Sequence, residues 1–120
     1  MKKMYVVTET TRDDRREAAS RYHTVPVSAY STNKAALEAC QVFAEKASER
    51  LPKKVPCHIA KYDASLYLQG TNHRRLHGFV VHELVGAVNT RYTKGTTWAT
   101  YKQFLVREVA VRRNKKRKAV

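Results

Sequence analysis

The stretch "STNKAALEACQVFAEKASERLP" (31–52) constrains this chain more than any other. Ala36, Leu37, Cys40, Phe43, Ala44, Ala47 and Leu51 recur at spacings of three and four, which winds them onto one face of an α-helix. Ser31, Thr32 or Asn33 can cap its first turn, and Pro52 forbids its continuation. A helix with a single apolar stripe must lay that stripe against something. The flanking segments name the partner, because they are β-branched and aromatic. "KMYVVTETT" (3–11), "RYHTVPVSAY" (21–30) and "KVPCHIAKYD" (54–63) read as strands, with "SLYLQG" (65–70) a short further one. Pro26 cannot donate to a ladder, so its strand belongs at an edge or carries a bulge. The expected fold is α+β: one amphipathic helix packed on a mostly antiparallel sheet.

At 120 residues the chain fits one domain, expected over 1–111, with 112–120 a basic C-terminal tail. A hydrophobic content of 42% with 28% charged residues is globular composition rather than that of a disordered polypeptide. No apolar run approaches the roughly 20 residues of a membrane span. The opening "MKKMYVVTETT" lacks the apolar core of about 7–15 residues that a secretory signal needs. Cys40 falls in the helical stripe and Cys57 stands apart, so no disulfide framework is implied. These features predict an intracellular protein, cytoplasmic or nucleoid-associated, or nuclear in a eukaryote, with no membrane partner.

The passage "VPVSAYSTNKAALEAC" resembles a strand-to-helix connection common in small bacterial and phage proteins, and that resemblance implies no chemistry.

Two readings of the last third compete. "FVVHELVGAV" (79–88) is a strand or a short buried helix. "TRYTKGTTWATY" (90–101) reads as a hairpin centred on Lys94-Gly95, with Gly95 at positive φ. Trp98, Tyr101, Phe104, Leu105 and Val109 also fit helical spacing, which would make a helix pair distantly like a helix-turn-helix. The strand reading is preferred, with Trp98 in the core and Tyr92 exposed.

Charge decides the class of partner. The chain holds 24 Lys and Arg against 10 acids, a net +14. Residues 1–63 have 12 bases and 8 acids, whereas residues 64–120 have 12 bases and only Glu83 and Glu108 as acids. Such asymmetry speaks to partners and not to fold. Arg112, Arg113, Lys115, Lys116, Arg117 and Lys118 supply phosphate contacts through counterion release and need no fixed fold to do so. The same run has the composition of a nuclear import signal. Arg74 and Arg75 in "NHRRLHG" present planar forks to phosphate. Arg91, Tyr92, Lys94 and Lys102 set a stacking ring among cations, the combination that holds single strands.

Other chemistry is poorly supported. His73 and His77 have i, i+4 spacing, but Gly78 argues against a helix beneath them and no CxxC accompanies Cys57-His58. Asp63 or Glu83 with Lys61 could serve a small metal-dependent nuclease, but no nucleophile motif or phosphate loop appears. Asp13 and Asp14 lie among Arg12, Arg15 and Arg16, which neutralise them locally. The expected function is therefore non-enzymatic nucleic-acid binding without a cofactor. RNA is favoured over DNA, with backbone contact and low sequence selectivity, within a larger nucleoprotein assembly. The alternative is a phage-type inhibitor or adaptor that docks on a host nucleic-acid-processing machine.

Overall fold

The fold is that of a computed structural model, which describes residues 2–13, 21–63, 76–89, 91 and 94–111. Among the described residues five strands and one helix follow in the order β1 (Lys2–Arg12), β2 (Tyr22–Tyr30), α1 (Asn33–Arg50), β3 (Cys57–Asp63), β4 (His77–Asn89) and β5 (Lys94–Val111). The strands form one sheet in the order β2-β1-β5-β4-β3, and every neighbouring pair is antiparallel. The first and last strands thus sit inside the sheet, while β2 and β3 form its edges. Helix α1 carries the chain from one edge to the other across a single face. This is the expected α+β arrangement.

The helix starts where Thr32, in extended conformation, accepts a hydrogen bond at its hydroxyl from the Ala35 amide at 3.2 Å. It ends at Leu51, ahead of Pro52. Its buried residues are Ala36, Cys40, Ala44 and Ala47, all small, which lets the helix lie close to the strands. They meet Val7 of β1, Val81 of β4, and Phe104 and Val106 of β5 in the core. Half-buried Phe43 stacks on Phe104 with ring centroids 5.7 Å apart. A hydrogen bond from His77 Nε2 to Asn33 Oδ1, 2.8 Å, ties the start of the helix to the start of β4.

Two features follow from strand chemistry. Pro26 lies in edge strand β2, and the β1–β2 register shifts between Val7 and Thr8 so that Thr8 faces Pro26. At Gly78 a Cβ would run into the Phe104 carbonyl oxygen and sit 2.9 Å from Leu105 Cα, so only glycine admits β5 this close.

Residues 79–89 and 94–111 are strand, which excludes the helix-pair reading. The hairpin has a different centre from the one expected. Lys94 pairs with Asn89 and Gly95 with Val88, so both lie within β5 and not at the point of reversal. Gly95 therefore belongs to a ladder that needs no positive φ. The proposed strand at 65–70 lies outside the described residues.

Candidate nucleic-acid interface

Strand alternation sorts the side chains onto two faces. Tyr5, Val7 and Glu9 of β1 share the helix side with Phe104 and Val106, which are in register with Glu9 and Val7. The opposite face carries no helix among the described residues, and only in that sense is it the open face. Its centre is apolar, for Val80 and Leu105 are buried there at 4% and 8% exposure, outside the helix-side cluster. Around that centre stand polar and aromatic groups. Tyr22, 54% exposed, is on this face because Thr24, two residues on, bonds to Thr10 of β1 hydroxyl to hydroxyl at 2.8 Å. Arg107 is exposed opposite Val6.

At the far end of this face His58 of β3 lies opposite His82 of β4. Their ring nitrogens, His82 Nδ1 and His58 Nε2, are 3.1 Å apart. Such a hydrogen bond needs one ring to accept, so at least one is neutral. Burial, and then the charge His58 would carry, both lower the His82 pKa below its ordinary value. Trp98 meets the His58 ring edge-on with centroids 4.5 Å apart.

Trp98 is 40% exposed, which corrects its expected place in the core. It pairs with Leu84, one residue past the last β3–β4 pair and where β1 has also ended, outside the helix-side core. From there Gly86–Asn89 and Lys94–Thr97 continue as a ribbon, unflanked by any other described strand. Four residue pairs at about 3.4 Å each extend it by roughly 13 Å.

Carboxylates are distributed unevenly between the two faces. Glu9 and Glu108 point to the helix side, as does Asp63, which faces His77 across the β3–β4 ladder. Glu9 is held by Lys102 at 2.6 Å and Glu108 by Lys3 at 2.9 Å. The remaining strand carboxylate, Glu83, is bound by Arg12, which also donates to the Thr100 carbonyl at 3.1 Å. Arg12 thus bridges 71 residues to β4.

The predicted contact residues separate accordingly. Arg91 is exposed in the β4–β5 connection, and Lys94 begins β5 next to it. Lys102 lies instead on the helix side, in its pair with Glu9 and 5.9 Å from the Tyr101 ring centroid. Arg74, Arg75, Tyr92, Arg112, Arg113, Lys115, Lys116, Arg117 and Lys118 lie outside the described residues. Tyr22, His82 and Arg107 were missed in the sequence, and His58 was weighed only beside Cys57. Period-2 alternation alone places His58 and Tyr22 on opposite faces from their neighbours, but only register joins the strands.

The nuclease groups do not converge. Asp63 and Glu83 lie at opposite ends of the β3–β4 ladder, six residues and roughly 20 Å apart. A cleft of about 460 Å³ between α1, β3 and β4 takes in Lys61, Asp63 and His77, together with Lys34 and Glu38. Its charges are of both signs, and among the described residues no three His, Cys, Asp or Glu side chains gather as a metal site. No described helix is long and apolar enough to cross a membrane.

Comparison with known proteins adds no relative: no family model, no curated protein and no solved structure matches the chain.

Proposed function

We propose that this chain is a non-enzymatic nucleic-acid-binding protein that lays a single strand, RNA in preference to DNA, across the open face of its sheet. The observation that carries the reading is the coincidence, among the described residues, of exposed aromatic side chains and absent free carboxylates on that face. Tyr22 and Trp98 offer rings on which bases can stack without sequence readout, and Arg107 offers a cation on the same face, six residues along β1 from the row of Tyr22. An unpaired base can lie flat on a sheet in this way, whereas a paired one cannot, which favours single-stranded RNA loops and ends. The ribbon of β4 and β5 extends the surface, with Arg91 at its connection. Residues 112–118 add phosphate contacts and hence affinity rather than selectivity.

The test is binding of a fluorescein-labelled single-stranded RNA to the full chain across a salt series. Tyr22→Ala removes one exposed stacking ring and should weaken binding by about 1–3 kcal/mol, roughly 5- to 150-fold. Lys46→Ala, exposed on the helix, should leave it unchanged. Deleting 112–120 removes six bases, so the log–log salt slope should become shallower by about 4 on a single strand. Equal losses from Tyr22→Ala and Lys46→Ala would remove the open face from the proposal. A complex with a host protein that survives nuclease treatment would support the inhibitor or adaptor reading in its place.

A further inference from the structure

We propose that His58 and His82 together chelate a divalent transition ion of the zinc and nickel class on the open sheet face, with water completing its coordination. The site needs no ligand to travel far. A tetrahedral ion with Zn–N bonds of about 2.0–2.1 Å holds two imidazole nitrogens roughly 3.3 Å apart. His82 Nδ1 and His58 Nε2 already stand 3.1 Å apart, so they need separate by only a few tenths of an ångström, while the proton between them moves to the donor ring's other nitrogen and both rings turn their lone pairs to the ion. The two residues face each other directly across the β3–β4 ladder, which fixes their backbone separation. Trp98 packs edge-on to His58 and restricts rotation of that ring. Neutral imidazole is the ligating form, and the hydrogen bond between the rings already requires one of them to be neutral.

No third protein donor completes the set among the described residues. Cys57 precedes His58 and so projects to the other side of β3, and Glu83 is bound by Arg12. Two or more positions therefore stay open to solvent, as in a site that can exchange ligands rather than a closed structural one. Nitrogen donors of intermediate softness select zinc, nickel and copper over magnesium and calcium. The inference does not depend on nucleic-acid binding, since it uses only the geometry of two rings.

The chain carries its own probe, because Trp98 is the sole tryptophan and its ring lies 4.5 Å from that of His58. Untagged full-length protein, treated with nuclease and stripped with chelator, is titrated with Ni²⁺ while tryptophan fluorescence is followed. Saturable quenching is expected, and Zn²⁺, which does not quench, should restore the signal by competition. His58→Gln and His82→Gln should each raise the quenching midpoint at least tenfold, while Cys57→Ser leaves it in place. Both histidines are outside the core, and circular dichroism checks that the variants keep the sheet. If His82→Gln fails that check, His58→Gln on the edge strand decides alone. Quenching unaltered by a folded histidine variant, quenching lost in Cys57→Ser, or no saturable quenching at all would each overturn the proposal.

Discussion

Glu83→Gln separates a structural carboxylate from a catalytic one. The side chains of Arg12 and Glu83 are only 8% and 14% exposed, so water screens the pair little. Removing one partner takes an ion-pair contact from a buried charge, which costs about 3–5 kcal/mol in comparable sites. A glutamine keeps the shape and one acceptor oxygen, and Arg12 keeps its bond to the Thr100 carbonyl, so the lower end, about 3 kcal/mol, is expected. Unfolding entropy of about 2.1 cal/mol/K per residue gives roughly 250 cal/mol/K for 120 residues. The thermal midpoint should then fall by about 12 °C. Differential scanning calorimetry measures this directly, and a cycle with Arg12→Met isolates the pairwise part. The double variant should recover a share of the loss, because the buried charge is gone. A drop below about 4 °C, the equivalent of roughly 1 kcal/mol, would mean that the pair acts like an exposed one and that its burial has been overestimated. A nuclease role for Glu83 predicts instead a stable variant that loses metal-dependent cleavage.

Two further outcomes test the core. Phe43→Ala removes the ring stacked on Phe104, and since Phe43 is half-buried the cost should fall near the low end of the range for Phe truncation, about 3 kcal/mol, read as a shift in the denaturant midpoint at constant m. Burial pushes the Cys40 thiol up to about 12, whereas Cys57 is exposed, so a thiol reagent at neutral pH should modify Cys57 promptly and Cys40 only as the chain opens. Equal labelling of both in native buffer would contradict the packing of α1.

Local signals in the sequence carried the elements, and long-range pairing carried the site. The helix was legible because Ala36, Cys40, Ala44 and Ala47 repeat at its period and Thr32 and Pro52 bound it. The edge position of β2 was legible from Pro26, whose missing donor is a local property. Trp98 was misplaced because a large aromatic in a small domain ordinarily packs inside, and its exposure depends on β1 ending at Arg12 and β3 beginning at Cys57. The hairpin centre was misjudged because Lys94-Gly95 carries turn chemistry, while the actual reversal is set by how Asn89 and Lys94 come into register. His58 and His82 are 24 residues apart, and Lys102 and Glu9 are 93 apart. No periodicity announces such partners, because they meet only once the strand order is fixed.

The ion pairs also bear on why the surplus charge is not merely solubilising. Each of the three described pairs takes one member from β1, namely Lys3, Glu9 and Arg12, and ties it to β5 or β4. Acids are thereby held where they join strands, and those that remain on α1, Glu38, Glu45 and Glu49, alternate with Lys34, Lys46 and Arg50. The helix side is in consequence close to balanced. A charge excess that served only to keep molecules apart would have no reason to spare one face of the sheet, since signs mixed over the whole surface serve solubility well. Here the open face keeps Arg107 and its exposed rings, and the strand carboxylates lie elsewhere or are bound. An anionic strand approaching that face meets attraction without local repulsion, and clefts or faces of one sign raise association rates in a way that salt reverses. The arrangement therefore makes a kinetic statement as well as an affinity one. Arg107→Glu, which places a carboxylate on the open face beside Leu105, should slow association with single-stranded RNA at low salt more than it speeds dissociation, and stopped-flow anisotropy resolves the two. A loss carried wholly by dissociation would show that the face grips the strand without steering it.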